Sequence, residues 1–82
     1  MDDRTLAETV LALVGGAENV EDVTACWSRL RLVLRDWDAR DDEAITALDE
    51  VPMVQVQGGQ FQVVLGARAI PVSRVVRELL HA

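Results

Sequence analysis

The stretch Asn19-Val-Glu-Asp-Val-Thr-Ala-Cys26-Trp-Ser-Arg29-Leu-Arg31-Leu-Val-Leu-Arg-Asp36 decides how this chain is read. Its second half alternates with a period of two. Leu30, Leu32 and Leu34 fall on one side of an extended strand, and Arg29, Arg31, Val33 and Arg35 on the other. One side is therefore core, and the other carries three arginines. Val20 to Thr24 predicts a short strand before it, with a turn over Ala25 to Ser28. That turn holds the only cysteine. Arg29 and Arg31 follow it at +3 and +5, on the same side of the second strand.

Working outward, Leu6, Val10, Leu13 and Val14 repeat at helical spacing and predict a helix over Thr5 to Val14. Thr5-Leu-Ala-Glu8 can serve as its capping box, and Gly15-Gly16 stops it. Downstream, Asp41 or Asp42 can cap a short helix through Leu48, with Ile45 and Leu48 facing inward. Val51 to Gln57 and Gln60 to Gly66 read as two strands joined at Gly58-Gly59, a strong hairpin signal. Phe61, Val63 and Leu65 share one face of the second. Pro71 can open a last helix at its first position, with Val72, Val75, Val76, Leu79 and Leu80 as its apolar stripe. The order α-β-β-α-β-β-α predicts an α+β fold. A four-stranded, mainly antiparallel sheet would carry three helices on one face, all in a single domain over residues 1–82.

Composition narrows the function classes. Fourteen acids against eight bases, all of them arginine, give a net charge of −6. That is a poor balance for neutralising phosphate backbones, so no nucleic-acid partner is expected. The longest unbroken apolar run, Val10 to Val14, is five residues. A membrane helix needs about 20. No export signal is read at the start. One cysteine cannot form an internal disulfide, which favours a reducing compartment.

Cys26 is open to two readings. A lone cysteine is often only a small buried hydrophobe. In a polar turn beside Arg29 and Arg31, however, it stands next to two guanidinium forks. The same forks suit the oxygens of an anion carried on sulfur. Arg29 and Arg31 can equally be solvated strand residues, the plain reading for Arg35. His81 reads as an exposed, incidental residue, and Trp37 as core or strand-edge packing.

Three pieces of the sequence resemble the IIB domain of the bacterial sugar phosphotransferase system, glucose–glucoside (glucose/sucrose) type. They are Leu13-Val14-Gly15-Gly16 followed by Glu18-Asn19-Val20; Cys26-x-Ser28-Arg29-Leu30-Arg31, which is similar to the family's Cys-x-Thr-Arg-Leu-Arg; and Gly58-Gly59-Gln60-Phe61-Gln62-Val63-Val64-Leu65-Gly66. The resemblance runs from about residue 4 to 80. It implies a phosphocysteine carrier. Cys26 would take a phosphoryl group from a histidine of a IIA partner and pass it to a sugar hydroxyl held in the membrane IIC partner. Cys26 would be the nucleophile, and Ser28, Arg29, Arg31 and Gln60 would bind the phosphoryl oxygens. Trp27 would dock a partner. No metal and no cofactor is implied. The implied location is cytoplasmic, at the inner face of the membrane through IIC. Two departures motivate a second reading, a regulatory or interaction module that keeps the fold with impaired transfer. Ala25 stands where many members have histidine. Asp49-Glu-Val-Pro-Met-Val-Gln-Val-Gln57 replaces a glycine-containing run. A thiol redox role is the third reading, and without a Cys-x-x-Cys motif its disulfide would have to be intermolecular.

Overall fold

A computed structural model describes all 82 residues. The elements are α1 (Asp3–Leu13), β1 (Val20–Cys26), β2 (Arg29–Leu34), α2 (Asp42–Thr46), β3 (Val54–Gln57), β4 (Gln60–Val64) and α3 (Ala69–Leu80), with single 3-10 turns at Ala17–Asn19, Trp37–Ala39 and Gly66–Arg68. This is the expected order. The sheet runs β1-β2-β4-β3, and every neighbouring pair is antiparallel.

Alternation decides the two faces of the sheet. Leu30, Leu32 and Leu34 of β2, Val23 of β1, and Phe61 and Val63 of β4 are buried together with Leu6, Val10, Ile45, Val72 and Val76 of the helices and with Val14 just past α1. The opposite face of β2 carries Arg29 and Arg31, while Arg35 lies just past the strand, where its Nε donates to Glu18 O at 3.2 Å.

Several boundaries move: β3 begins at Val54 rather than Val51 and β4 ends at Val64 rather than Gly66, and local chemistry shifts three helix ends. Asp2, not Thr5, caps α1: its carboxylate accepts from the Thr5 amide at 2.7 Å, and the helix starts two residues early. That hydrogen bond holds the Asp2 carboxyl below the usual carboxylate range. Pro71 is the third residue of α3, not the first, because Ala69 and Ile70 already turn. Its missing N–H is still harmless there, since first-turn amides have no helical partner. Asp41 caps α2 by accepting from Ala44 N at 3.0 Å, and the helix proper ends at Thr46.

Asn19 locks the far end of the β1–β2 hairpin. Its amide donates to Val14 O and Asp36 O, both at 2.8 Å, and its Oδ1 accepts from Asp36 N at 2.8 Å. The end of α1 is thereby tied to the end of β2. Gly15, at φ +103°, passes so close that a Cβ there would sit 2.9 Å from Asn19 Nδ2 and 2.8 Å from Ala39 Cβ. This contact is the physical content of the Gly15-Gly16-x-x-Asn19 spacing.

Candidate functional site

Cys26 is the last residue of β1 and pairs directly with Arg29, the first residue of β2. The turn is therefore shorter than the expected Ala25–Ser28: only Trp27 and Ser28 lie between the strands. Trp27 has φ +56°, while Ser28 does not enter the positive region. Positive φ at the first central residue alone is the type II′ pattern, where glycine is the usual occupant. The Trp27 side chain gains little in return, since the residue is 88% exposed. The turn is fastened from behind. Ser28 O accepts from Leu65 N at 2.8 Å and Gly66 N at 3.1 Å, which ties it to the end of β4.

Cys26, Arg29 and Arg31 share the open face of the sheet, and all three are half-buried. With Trp27 and Ser28 they line a concavity of about 280 Å³. None of the chain's ion pairs engages Arg29 or Arg31, despite fourteen acids in the sequence. Arg31 Nε is enclosed and has no hydrogen-bond partner at all. Two guanidinium groups with spare donors thus flank one thiol. This arrangement can bind a small dianion placed on the sulfur.

Gln60 stands apart from this concavity. It pairs with Gln57 at the β3–β4 turn, whereas it is Val64 that faces Arg29. Four residues of strand separate the two positions, about 13 Å. Gln62 is the residue that sequence reading missed. It is 3% exposed, directly opposite Arg31 in register, and its Oε1 accepts from Arg29 Nη1 at 3.3 Å. Alternation along β4 already places Gln62 on the side away from Phe61 and Val63. The missing information was that β4 pairs with β2.

Ala25 faces the other way. It pairs with Leu30, whose side chain is core, so residue 25 belongs to the helix-covered side. Alanine there removes nothing from the Cys26 face. Trp37 packs against the core as expected, with the Arg40 guanidinium 5.5 Å from its ring centre. His81 is exposed at the end of α3 and lines a separate cavity of about 340 Å³ beside Glu18, Glu21, Arg35 and Arg77. It lies at the opposite end of β1 from the cysteine. No helix is long and apolar enough to cross a membrane.

Comparison with known proteins converges on this region. The family described as phosphotransferase system, EIIB, matches residues 8–39, which include Cys26, Arg29 and Arg31. The sucrose-specific EIIBC component of Staphylococcus xylosus is 40% identical over 79 residues, covering 96% of this chain and 16% of that protein. The β-glucoside-specific EIIBCA component of Halalkalibacterium halodurans is 36% identical over 74 residues, 90% of this chain and 12% of the relative. The chain thus spans less than a fifth of the length of these relatives. A crystal structure of one domain of the PTS system IIabc component from Clostridium difficile superimposes with a TM-score of 0.75 at 26% identity. It covers 95% of this chain and 82% of that one.

Proposed function

The chain belongs to the EIIB family of the phosphotransferase system, and from that premise we propose that Cys26 carries a phosphoryl group during sugar uptake. The donor is a phosphohistidine on a IIA protein or domain, and the acceptor is a sugar bound by the membrane IIC component. The observation that carries this reading is a thiol flanked by two arginines that no carboxylate neutralises, in a chain of net charge −6.

In the first step the Cys26 thiolate attacks phosphorus in line. The S–P bond forms as the N–P bond breaks, and the electron pair returns to the donor imidazole. In the second, the sugar hydroxyl oxygen attacks phosphorus and gives its proton to a base beside it on the IIC side, and the S–P bond breaks with its electron pair returning to Cys26 as thiolate. Transfer of this kind is mostly positioning and charge stabilisation. Arg29 and Arg31 hold the equatorial oxygens, the Ser28 hydroxyl donates to them, and amides of the Cys26–Arg29 turn complete the cradle. The chain is thus one component of a protein-phosphohistidine–sugar phosphotransferase, working in the cytoplasm at the inner face of the membrane.

Trp27 supplies the docking contact. It borders an apolar trough of about 450 Å³ with Ser28, Gly66, Ala67 and the exposed Ile70, on the helix side of the nucleophile. Exposed tryptophan beside a reacting centre fits an interface anchor.

Incubation with phosphorylated IIA is expected to add the mass of one phosphoryl group to Cys26. Cys26→Ser is expected to abolish that gain while leaving the fold intact. An unmodified wild-type chain beside a demonstrably active donor would refute the proposal.

A further inference from the structure

All four glutamines of the chain, Gln55, Gln57, Gln60 and Gln62, stand on one face of the β3–β4 hairpin. Gln55 pairs with Gln62 in register and Gln57 with Gln60, while Val54, Val56, Phe61 and Val63 take the other face. Their amides are wired together. Gln55 Nε2 donates to Gln62 Oε1 at 2.9 Å and to Gln57 Oε1 at 3.2 Å, and Gln62 Nε2 donates to Gln60 Oε1 at 3.3 Å. The junction is Gln62 Oε1, which accepts from Gln55 on one side and from Arg29 Nη1 on the other.

A terminal amide has two orientations that exchange its oxygen and its NH₂ group. Only one suits Arg29, because a guanidinium donates and never accepts. Turned the other way, Gln62 would set N–H against N–H. A second donor aimed at the same oxygen reinforces the orientation that Arg29 requires, and Gln55 Nε2 is placed to be that donor. The choice of an amide also matters electrically. A carboxylate at this position would hold Arg29 but cancel its charge. An amide holds it and leaves the full positive charge for the anion.

We propose that Gln55 is a positioning residue. Acting through Gln62, it fixes the amide orientation that aims the Arg29 guanidinium at the group carried on Cys26. The proposal rests on the phosphocysteine reading for its rate effect, though not for its effect on Arg29 itself. Gln55 touches neither Cys26 nor the phosphoryl group, and it stands on the edge strand β3, two strands away from Arg29.

The test is a double-mutant cycle read by single-turnover phosphorylation of Cys26 from phosphorylated IIA. Gln55→Leu is expected to slow transfer about 3- to 10-fold with an unchanged thermal midpoint. In an Arg29→Ala background the same substitution is expected to change the rate less than twofold. An equal loss in both backgrounds overturns the proposal, and so does a wild-type rate in Gln55→Leu. Nitrogen-15 NMR of the Arg29 side chain in the unphosphorylated protein gives an arm that needs no transfer. Gln55→Leu is expected to release the Arg29 guanidinium into faster rotation. Failure of Cys26 to take a phosphoryl group overturns the phosphocysteine reading, and the NMR arm then decides Gln55 alone. An Arg29 signal identical in wild type and Gln55→Leu overturns the positioning role.

Discussion

The two ends of β1 are built on opposite rules. At the Asn19 end every hydrogen-bonding atom of the side chain has a partner at 2.8 Å, and a glycine is squeezed against it. At the Cys26 end a guanidinium nitrogen is enclosed without a partner, and a tryptophan holds a backbone angle suited to glycine. About 20 Å of strand separates them. Buried polar groups are ordinarily satisfied, and each exception calls for a physical explanation. The contrast sets an end whose polar groups are all spent on the fold against an end with a donor left to give. It also implies that substitutions at the two ends should move different observables.

The largest effect should come from the unsatisfied end. Arg31→Ala is expected to slow phosphoryl transfer to Cys26 by about 10²–10³, the order found when one preorganised donor to a developing charge is removed. Its thermal midpoint should hold or rise, because an unpaired donor leaves the interior. Arg31→Lys should recover little, since a point charge cannot reproduce the two-pronged contact. A slowed Arg31→Ala variant that also melts markedly lower would erase the division between the ends.

Asn19→Ala is the mirror experiment. It strands Val14 O, Asp36 O and Asp36 N away from their partners. With about 1–3 kcal/mol for each buried group left unpaired and partial relief by water, a loss near 3 kcal/mol is expected in urea unfolding. For a chain of this length, total stability is about 4–12 kcal/mol. Transfer per folded molecule should stay within twofold of wild type at a temperature where the variant is folded. A large rate loss without unfolding would show that the clamp reaches the site.

The same contrast explains what was legible in the sequence. The closed end announces itself locally. Gly15-Gly16 ends α1, and the leucine alternation of β2 fixes which face is core. At the open end Cys26, Arg29 and Arg31 could be placed on one face from the sequence, because Cys26 and Arg29 pair across a two-residue turn and Arg31 follows two residues on along the same strand. Gln62 could not be, since its place opposite Arg31 depends on β4 pairing with β2 across some thirty residues of chain. Gln60 is suggested by its place after the glycine pair, whereas strand register sets Gln62, not Gln60, opposite Arg31. Ala25 misled for a related reason. Adjacency to the cysteine in sequence suggests adjacency in the site, whereas alternation sends neighbouring side chains to opposite faces.

The smallest effect, and the one that most sharpens the contrast, concerns Trp27. The two hairpin turns of this chain meet the same need for positive φ differently. The β3–β4 turn uses Gly58 and Gly59, at φ +59° and +76°, and the β1–β2 turn uses Trp27 at +56°. A side chain in that region costs about 1–3 kcal/mol. Glycine would remove the strain but loses more chain entropy on folding, about 0.5–1 kcal/mol. Trp27→Gly should therefore stabilise the domain by about 1 kcal/mol, a rise of roughly 4–8 °C in melting temperature for a chain of this size. Almost no burial is forfeited, because the residue is 88% exposed. If the ring is kept for docking, the same variant should raise KM for phosphorylated IIA while leaving the rate at saturation close to wild type. A fall in melting temperature would mean that in solution the ring folds onto Ile70 and the trough beside it. Trp27 would then belong to the satisfied half of the comparison.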